Sequence, residues 1–204
     1  MADSTNPYPL FLKAELTEPL SRWLWLIKWL VLIPHYIVLA VLWIGFVVAW
    51  VISLFAILFT GRYPESLFNY NVGVMRWSWR VGFYGYQALG TDRYPPFTLE
   101  STDYPADLEV KYPRNLSKGM VLIKWWLLAF PHLVVVGFFQ GGWGEGQHGL
   151  ISILTLFAAV YLMFTGSYHK DLFSLIIGMN RWVYRVGGYV ALMTDEYPPF
   201  KLSE

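Results

Sequence analysis

The chain has 204 residues, of which 56% are apolar and only 14% are charged, with a formal net charge of +1. A soluble domain usually contains about a quarter charged residues, so this composition argues against a soluble globular protein and favours a membrane protein. The absence of cysteine excludes disulfides, thiol nucleophiles and thiolate metal sites. Eleven Trp and fourteen Tyr residues favour contact with the headgroup region of a bilayer, where such rings accumulate.

The same series of short motifs occurs twice in the chain, in the same order. The first series comprises Leu20-Ser21, Lys28-Trp29, Pro34-His35, Thr60-Gly61, Arg76-Trp77, Arg80-Val81, Thr91-Asp92 and Tyr94–Phe97. The second comprises Leu116-Ser117, Lys124-Trp125, Pro131-His132, Thr165-Gly166, Arg181-Trp182, Arg185-Val186, Thr194-Asp195 and Tyr197–Phe200. The repetition predicts two tandem units, residues 1–100 and 101–204, each one supersecondary module.

Two short segments alternate apolar and charged residues with the period of two that is typical of a half-buried strand. They are Leu10–Leu16 and Ala106–Tyr112, and each precedes the first motif of its unit. We expect these strands to pair across a pseudo-twofold axis, in a small sheet on the cytoplasmic side that ties the two units together.

The long apolar segment of each unit is predicted to form a helical hairpin in the membrane. Between its Pro-His and Thr-Gly motifs the second unit carries eight more residues than the first, and they fall in a polar, glycine-rich stretch, Gln140–Gly149. This stretch predicts a turn, and alignment places the corresponding turn of the first unit at Trp43–Gly45. The predicted arms are 24–42 and 46–59 in the first unit and 120–139 and 150–164 in the second.

All fifteen Lys and Arg residues lie outside the predicted hairpin tips. Because the cytoplasmic segments of membrane proteins carry an excess of Lys and Arg, this distribution predicts a multi-pass protein with both termini in the cytoplasm. The segment Met1–Leu10 lacks the basic start and the small-residue cleavage site of a signal peptide, and we interpret it as mature cytoplasmic sequence.

Each hairpin is followed by a segment with the periodicity of an amphipathic helix, residues 67–89 and 172–193. The polar stripe consists of Asn69, Gly73, Arg76 and Arg80 in the first helix and Ser174, Gly178, Arg181 and Arg185 in the second. An aromatic-rich amphipathic helix of this kind is predicted to lie in the membrane interface, with its stripe towards headgroups or cytoplasm. The expected fold is therefore an all-α membrane protein of two pseudo-twofold repeats, each a helical hairpin plus an interfacial helix, with a minor β element.

The arginine pairs of the stripe are candidate lipid-phosphate-binding residues: Arg76, Arg80, Arg181 and Arg185. Arginine binds phosphate through two parallel hydrogen bonds, and a phospholipid headgroup is the phosphate found at that depth. In the structural alternative, the guanidinium groups bind Asp92, Asp195 or backbone carbonyls and fix the helix. The two interpretations are compatible with each other.

His35 and His132 occupy equivalent positions, each directly after a proline within an apolar segment. If the pseudo-twofold axis brings them together, they are candidate ligands of a haem or a metal ion. The favoured alternative is that each Pro-His pair marks a helix kink where the imidazole binds a freed carbonyl, because no carboxylate or third ligand accompanies them. We therefore expect no cofactor.

The repeated aspartates, Asp92 and Asp195, are predicted to be structural rather than catalytic. Each ends a helix, and the Tyr-Pro-Pro-Phe motif that follows it would lay an aromatic ring on the membrane-facing layer. The sequence contains no nucleophile elbow, no phosphate-binding glycine loop and no His-Glu metal motif. We therefore expect that the protein is not an enzyme.

Four segments of the chain carry a family resemblance: Ile33–His35, Phe59–Pro64, Leu67–Trp77 and Thr91–Phe97. They resemble a bacterial family of small membrane proteins that is known only as a domain of unknown function. One family domain corresponds to each repeat, and the second departs from the pattern at Ser167–Lys170, where the first has Arg-Tyr-Pro-Glu. The resemblance implies a location in the bacterial plasma membrane, and it brings no established activity.

We expect a non-enzymatic membrane scaffold or accessory subunit that packs with a larger membrane complex or self-associates, and that shapes the bilayer. Its expected partners are membrane lipids and other integral membrane proteins or further copies of the chain, and not nucleic acid. One alternative is a binding or transport module for an anionic lipid or amphiphile at the arginine pairs. Another is a haem- or metal-binding subunit that uses His35 and His132.

Overall fold

The computed structural model describes residues 8–142 and 149–203, and this part of the chain is mostly helical. Its elements, in chain order, are β1 (Leu10–Ala14), α1 (Lys28–Val31), α2 (Ile33–Thr60), α3 (Glu65–Tyr84), β2 (Ala106–Val110), α4 (Phe130–Gln140), α5 (Leu150–Thr165) and α6 (Lys170–Val190). Short 3₁₀ turns lie at Leu24–Leu26 and Met120–Leu122, and a π-helical turn lies at Lys124–Leu128. A mostly helical fold with a minor β element, as predicted, is confirmed.

The two strands pair antiparallel, with Leu12 opposite Leu108, so the predicted pairing of the two strands is confirmed. Leu10, Leu12 and Leu108 are buried and Phe11 is exposed, because successive side chains of a strand point to opposite faces. β1 packs on α6, whereas β2 packs on α3. Each strand therefore covers the central helix of the other unit.

The predicted hairpin of the first unit is wrong, because α2 is one uninterrupted helix of 28 residues. The expected turn at Trp43–Gly45 is helical, and Gly45 serves a packing contact. A Cβ atom at Gly45 would lie 2.3 Å from Tyr70 Oη, and this hydroxyl donates a hydrogen bond of 2.9 Å to Leu42 O. The glycine thus allows a tyrosine of α3 to lie against the backbone of α2.

The predicted hairpin of the second unit is also wrong, because α4 and α5 together take the place of α2. His132, at the start of α4, accepts a hydrogen bond from Trp182, and Gly166, after α5, lies beside Arg22. The corresponding contacts of α2 are His35 with Trp77 and Gly61 with Lys118. In a hairpin, the end of α5 would lie beside the start of α4. Here these two ends match the opposite ends of α2, so the extra residues are an insertion into one helical path. Residues 143–148 of this insertion lie outside the described residues.

The long helices begin later than the predicted arms at 24 and 120. Pro34 and Pro131 lie in the first turns of α2 and α4. Proline has no amide hydrogen to donate, so it is favoured in the first turn of a helix and disfavoured in its interior. The residues before them therefore form short separate turns. At the other end, Gly61 and Gly166 adopt left-handed backbone conformations and end α2 and α5, as such glycines commonly do.

The predicted amphipathic helices are present as α3 and α6, but they form the centre of the protein. Ring contacts join them, between Trp79 and Tyr184 at 5.4 Å and between Phe83 and Phe173 at 6.2 Å. Trp79 and Phe83 are completely buried. The interfacial position predicted for these helices is therefore wrong, because the sheet and the segments that follow each helix cover the polar stripe.

The remaining elements lie on opposite sides of these central helices. Trp77 of α3 faces α2, whereas Arg76 and Trp79 face the sheet. Arg76 Nε donates to Leu108 O and Trp79 Nε1 donates to Lys13 O, both at 2.8 Å. α4 and α5 pack on α6. The order of layers is therefore the sheet, then α3 with α6, then α2 with α4 and α5.

By length and composition, α2 is the one helix of the described residues that is long and apolar enough to cross a membrane. Only 22% of its most apolar window is buried inside the protein. α4 and α5 are also apolar, but each is shorter than a membrane span. The outer layer thus carries most of the apolar surface that the fold leaves uncovered.

Candidate functional site

A polar cluster in the first unit joins three of the repeated motifs around Lys28. Its ammonium group donates to Thr91 O at 2.7 Å, pairs with Asp92 Oδ1 at 2.9 Å and lies 4.4 Å from the centre of the Tyr84 ring. The second carboxylate oxygen of Asp92 accepts a hydrogen bond of 2.5 Å from the amide of Ser21. The Lys28 side chain is 2% exposed, and burial lowers its pKa, while the contact with Asp92 opposes that shift.

The second unit contains the same cluster around Lys124. This ammonium group donates to Thr194 O at 2.9 Å and pairs with Asp195 Oδ1 at 2.6 Å. The amide of Ser117 donates to Asp195 Oδ2 at 2.6 Å. Burial again lowers the pKa of the lysine. We term these two clusters the lysine clasps, because each ties the segment after a central helix to the start of its own unit. The contacts support the structural interpretation of the two aspartates.

The arginine stripe of α3 binds a carboxylate of the sheet. Arg76 Nε lies 2.9 Å and Arg80 Nη2 lies 3.2 Å from Asp107 Oδ1. The hydroxyl of Ser101 also donates to Asp107, and Arg80 Nη2 donates to Glu100 O at 2.7 Å. Arg80 is completely buried, so its guanidinium group is covered by protein atoms.

The arginines of α6 also bind protein atoms. Arg185 is 4% exposed and donates to Lys201 O at 3.3 Å and Ser203 O at 3.0 Å. Its guanidinium carbon lies 5.9 Å from the centre of the Tyr8 ring. Arg181 is partly buried and also has interaction partners.

The geometry of these arginines matches the structural alternative. Backbone carbonyls accept hydrogen bonds from Arg80 and Arg185, as that alternative expects. The carboxylate that binds α3 is Asp107, however, and not Asp92 or Asp195. A lipid phosphate at the stripe has no support from these contacts, because the buried guanidinium groups already bind protein oxygens.

Each repeated histidine lies in an aromatic pocket of its own unit. His35 Nδ1 accepts a hydrogen bond of 2.9 Å from Trp77 Nε1, and its ring stacks on Phe97 at 3.9 Å, with Tyr94 at 4.9 Å. The corresponding residues of the second unit are His132, Trp182, Phe200 and Tyr197. Both histidines are completely buried. The Tyr-Pro-Pro-Phe motif therefore folds back over the histidine of its own unit.

The two imidazoles do not share a ligand site. Separate sets of aromatic rings surround His35 and His132, and each Nδ1 is occupied by a tryptophan N–H. The described ranges, 8–142 and 149–203, contain no group of three His, Cys, Asp or Glu side chains placed to hold a metal ion. The haem or metal hypothesis therefore has no geometric support.

The outer side of α2, α4 and α5 forms a surface that we term the apolar face. Its most exposed members are Val41, Ile44, Phe59, Phe138, Phe157 and Phe164, at 65–75% exposure. A cleft of about 290 Å³ between α2 and α6 is lined by Trp43, Phe46 and Trp50, among other apolar residues. The face and the cleft are therefore both apolar.

Exposed basic side chains lie at both ends of the apolar face. Arg22 precedes α2 and lies beside Gly166, at the end of α5. At the other end of α2, Lys118 Nζ donates to Phe59 O at 2.7 Å, and the exposed Arg62 follows the helix. The face is therefore apolar along its length, with exposed basic side chains at both ends.

Residues 22–98 and 121–201 each match the family described as Domain of unknown function (DUF4389). The chain belongs to this family. One DUF4389 match falls in each predicted unit, and both strands lie outside the matched segments. Comparison with curated proteins and with solved structures gave no match. The resemblance inferred from the motifs is thus confirmed for the family and its tandem duplication, and no activity comes with it.

Three residues of the polar clusters were not expected from the sequence. Lys28 and Lys124 did leave a signal, because each is a cation at the same place in an otherwise apolar segment of its DUF4389 domain. Asp107 left none, because the corresponding position of the first unit is Phe11 and the repeat comparison therefore gives no match.

Proposed function

We propose that this DUF4389 protein is a non-enzymatic scaffold or accessory subunit of the bacterial plasma membrane, which packs with a larger membrane complex or with further copies of itself. The observation that carries the proposal is the apolar face. Phe59, Phe157 and Phe164 remain 65–75% exposed on it. A soluble monomer rarely exposes a contiguous apolar patch larger than a few hundred Å².

The size of the apolar face supports a role at a membrane. At 1.5 Å per residue, α2 alone is about 42 Å long. Covering on the order of 1,000 Å² of apolar surface at roughly 25 cal/mol per Å² contributes on the order of 25 kcal/mol before the costs of association. The face therefore strongly favours a state in which hydrocarbon or apolar protein covers it.

The repeated polar residues support a structural role rather than catalysis or transport. An active or transport site needs polar groups that converge on a cavity reached by substrate. In the described residues, Lys28, Arg80 and Asp92 instead bind protein atoms of neighbouring segments. The motifs that define the repeat therefore serve to hold the two units in shape.

Purification from native membranes in polymer-bounded nanodiscs tests the proposal. We expect a discrete complex, either stoichiometric with defined membrane proteins or a homo-oligomer, because the apolar face holds the protein at the membrane where its partners are. Ile44→Glu, on the apolar face, should weaken membrane attachment and thereby reduce this association. Glu109→Gln, on the exposed side of the sheet, is the matched control and should leave it unchanged. A monomer with lipid alone, in the unmodified protein, would contradict the scaffold role.

A further inference from the structure

The sheet lies beside the middle of the long helices rather than beyond one of their ends. Trp79, in α3, donates to Lys13 O of β1, and Leu10 of β1 lies against Gly188 of α6. Trp50, near the middle of α2, donates a hydrogen bond to Val190 O of α6, two residues after Gly188. The sheet and the middle of α2 are therefore at the same level along the helices.

The outer surface of the sheet is charged and open to solvent. The side chains of Lys13 and Glu15 are 50% and 67% exposed, and Glu109 is also exposed. If α2 crossed a bilayer, these charges would face hydrocarbon near the middle of the membrane. Charged side chains at that depth are costly and almost always face a bundle interior or a water-filled cavity. The helix is thus long enough to cross a bilayer, but the charged sheet beside its middle cannot enter the hydrocarbon.

The basic residues at the ends of the apolar face point to the same conclusion. Arg22 lies at the start of α2, and Arg62 and Lys118 lie at its end. A crossing helix would place these cations on opposite sides of the membrane, although Lys and Arg accumulate on the cytoplasmic side. With α2 parallel to the membrane plane, all of them remain on one side.

We infer that the apolar face sinks into the cytoplasmic leaflet, with α2, α4 and α5 parallel to the membrane plane and the sheet in the cytoplasm. This orientation rests on the proposed membrane function. The acyl chains of one leaflet then cover the apolar face. Interfacial helices of this kind lie roughly 5–10 Å below the headgroup boundary. The cations at the ends of the face meet anionic headgroups at that level. The exposed Trp23 and Trp29, before and within α1, lie in the same zone, where indole rings accumulate.

Single cysteines report the sidedness directly, because the natural chain contains none. Arg22→Cys, Arg62→Cys and Lys13→Cys place a thiol at each end of α2 and on the sheet, all at exposed positions. A membrane-impermeant maleimide is added to spheroplasts and, separately, to inverted membrane vesicles. We expect all three thiols to react in inverted vesicles and none in spheroplasts. Labelling of the Arg22 and Arg62 positions from opposite sides would overturn the inference.

The depth of α2 is measured with a spin label at Ile44→Cys, in vesicles of phosphatidylethanolamine and phosphatidylglycerol. Relative exposure to oxygen and to a water-soluble nickel chelate should place the label roughly 5–10 Å below the phosphates. A spanning helix would place it near the bilayer centre, at about 15 Å. A label shielded from both reagents would show protein, a partner or a second copy, on the face and would also overturn lipid docking.

The labelling result and the native purification fail independently. A defined membrane complex in which the two ends of α2 lie on opposite sides would refute the in-plane orientation alone. Same-side labelling of a protein that never associates would refute the scaffold role alone. Glu109→Cys is a second reporter for the sheet if the Lys13 variant does not accumulate.

Discussion

Replacing Asp107 by Asn tests how strongly the arginine stripe holds the sheet to α3. Its carboxylate lies 2.9 Å from Arg76 and 3.2 Å from Arg80, and the Arg80 side chain is completely buried. Asparagine keeps the shape but removes the charge that balances two guanidinium groups. Removing one partner of a buried ion pair costs about 3–5 kcal/mol. We expect the free energy of unfolding to fall by that amount, a large part of the total of about 5–15 kcal/mol for a typical domain.

The matched control is Asp103→Asn, in the same segment of the chain. Asp103 pairs with Arg93 at 3.4 Å, but its side chain is fully exposed, so we expect no measurable loss. The assay is chemical unfolding of the purified protein in detergent, followed by near-ultraviolet circular dichroism of the tryptophans. Equal losses for the two asparagine variants would refute the idea that burial makes Asp107 important.

A double variant separates the ion pair from the rest of the packing. Arg80→Met with Asp107→Asn removes one positive and one negative charge, so less uncompensated charge is left in the core than in Asp107→Asn alone. We expect its loss of stability to be smaller than the sum of the two single losses, because residues in one buried network are not additive. Strict additivity would show that Arg80 and Asp107 do not stabilise each other.

Two further predictions concern packing and pH. Gly45→Ala should lower the free energy of unfolding by about 1–3 kcal/mol through overpacking, because its Cβ would lie 2.3 Å from Tyr70 Oη. Adding Tyr70→Phe to the same chain should restore part of that loss. Gly119→Ala is the control and should lose no stability in chemical unfolding, because a Cβ there has nothing within 4 Å. Burial lowers the pKa of Lys28 and Lys124 from 10.5. At these lysines the unfolded chain therefore binds more protons in the alkaline range just below 10.5, which raises stability with pH, whereas the raised pKa of buried tyrosines such as Tyr63 and Tyr84 lowers stability in the same range. The thermal midpoint of Lys28→Met should therefore fall more steeply with pH than that of the unmodified protein, and parallel profiles would contradict this.

The strands and the central helices could be predicted from the sequence because their signals are local. The alternation in Leu10–Leu16 and Ala106–Tyr112 has the period of a strand, and the stripe of 67–89 has the period of a helix. The structure places β1, β2 and α3 within or beside these ranges. What local periodicity does not contain is the burial of the stripe, which depends on segments that fold back over it.

The predicted hairpins are wrong because a glycine-rich insertion has the same composition as a membrane turn. A helical path accommodates such an insertion if the chain leaves and returns at neighbouring points. Gly141 leaves α4 in the left-handed conformation, with φ of 83°. Gly149 returns beside the last turn of α4, so closely that a Cβ there would lie 2.3 Å from Phe139 O. Sequence length alone does not separate this arrangement from a hairpin tip.

The polar clusters were predictable in kind but not in their partners. The alternative that arginines bind carbonyls required only the chemistry of a buried guanidinium group. The pairing of His35 with Trp77 joins positions 42 residues apart, and that of His132 with Trp182 joins positions 50 apart. Such contacts arise from the packing of α2 on α3, and of α4 on α6, and no local pattern encodes them.

The exchange of strands between the units has a consequence for how a single-copy ancestor must have been built. A chain with one unit has one strand, and its central helix would be covered mostly by the strand of another molecule. Such a chain is expected to form a dimer about an exact twofold axis, with each molecule completing the other. Fusing the two copies into one polypeptide removes the need for identity between them. The insertion after Gln140 and the unmatched Asp107 are the kind of asymmetry that a symmetric dimer forbids and a tandem chain permits.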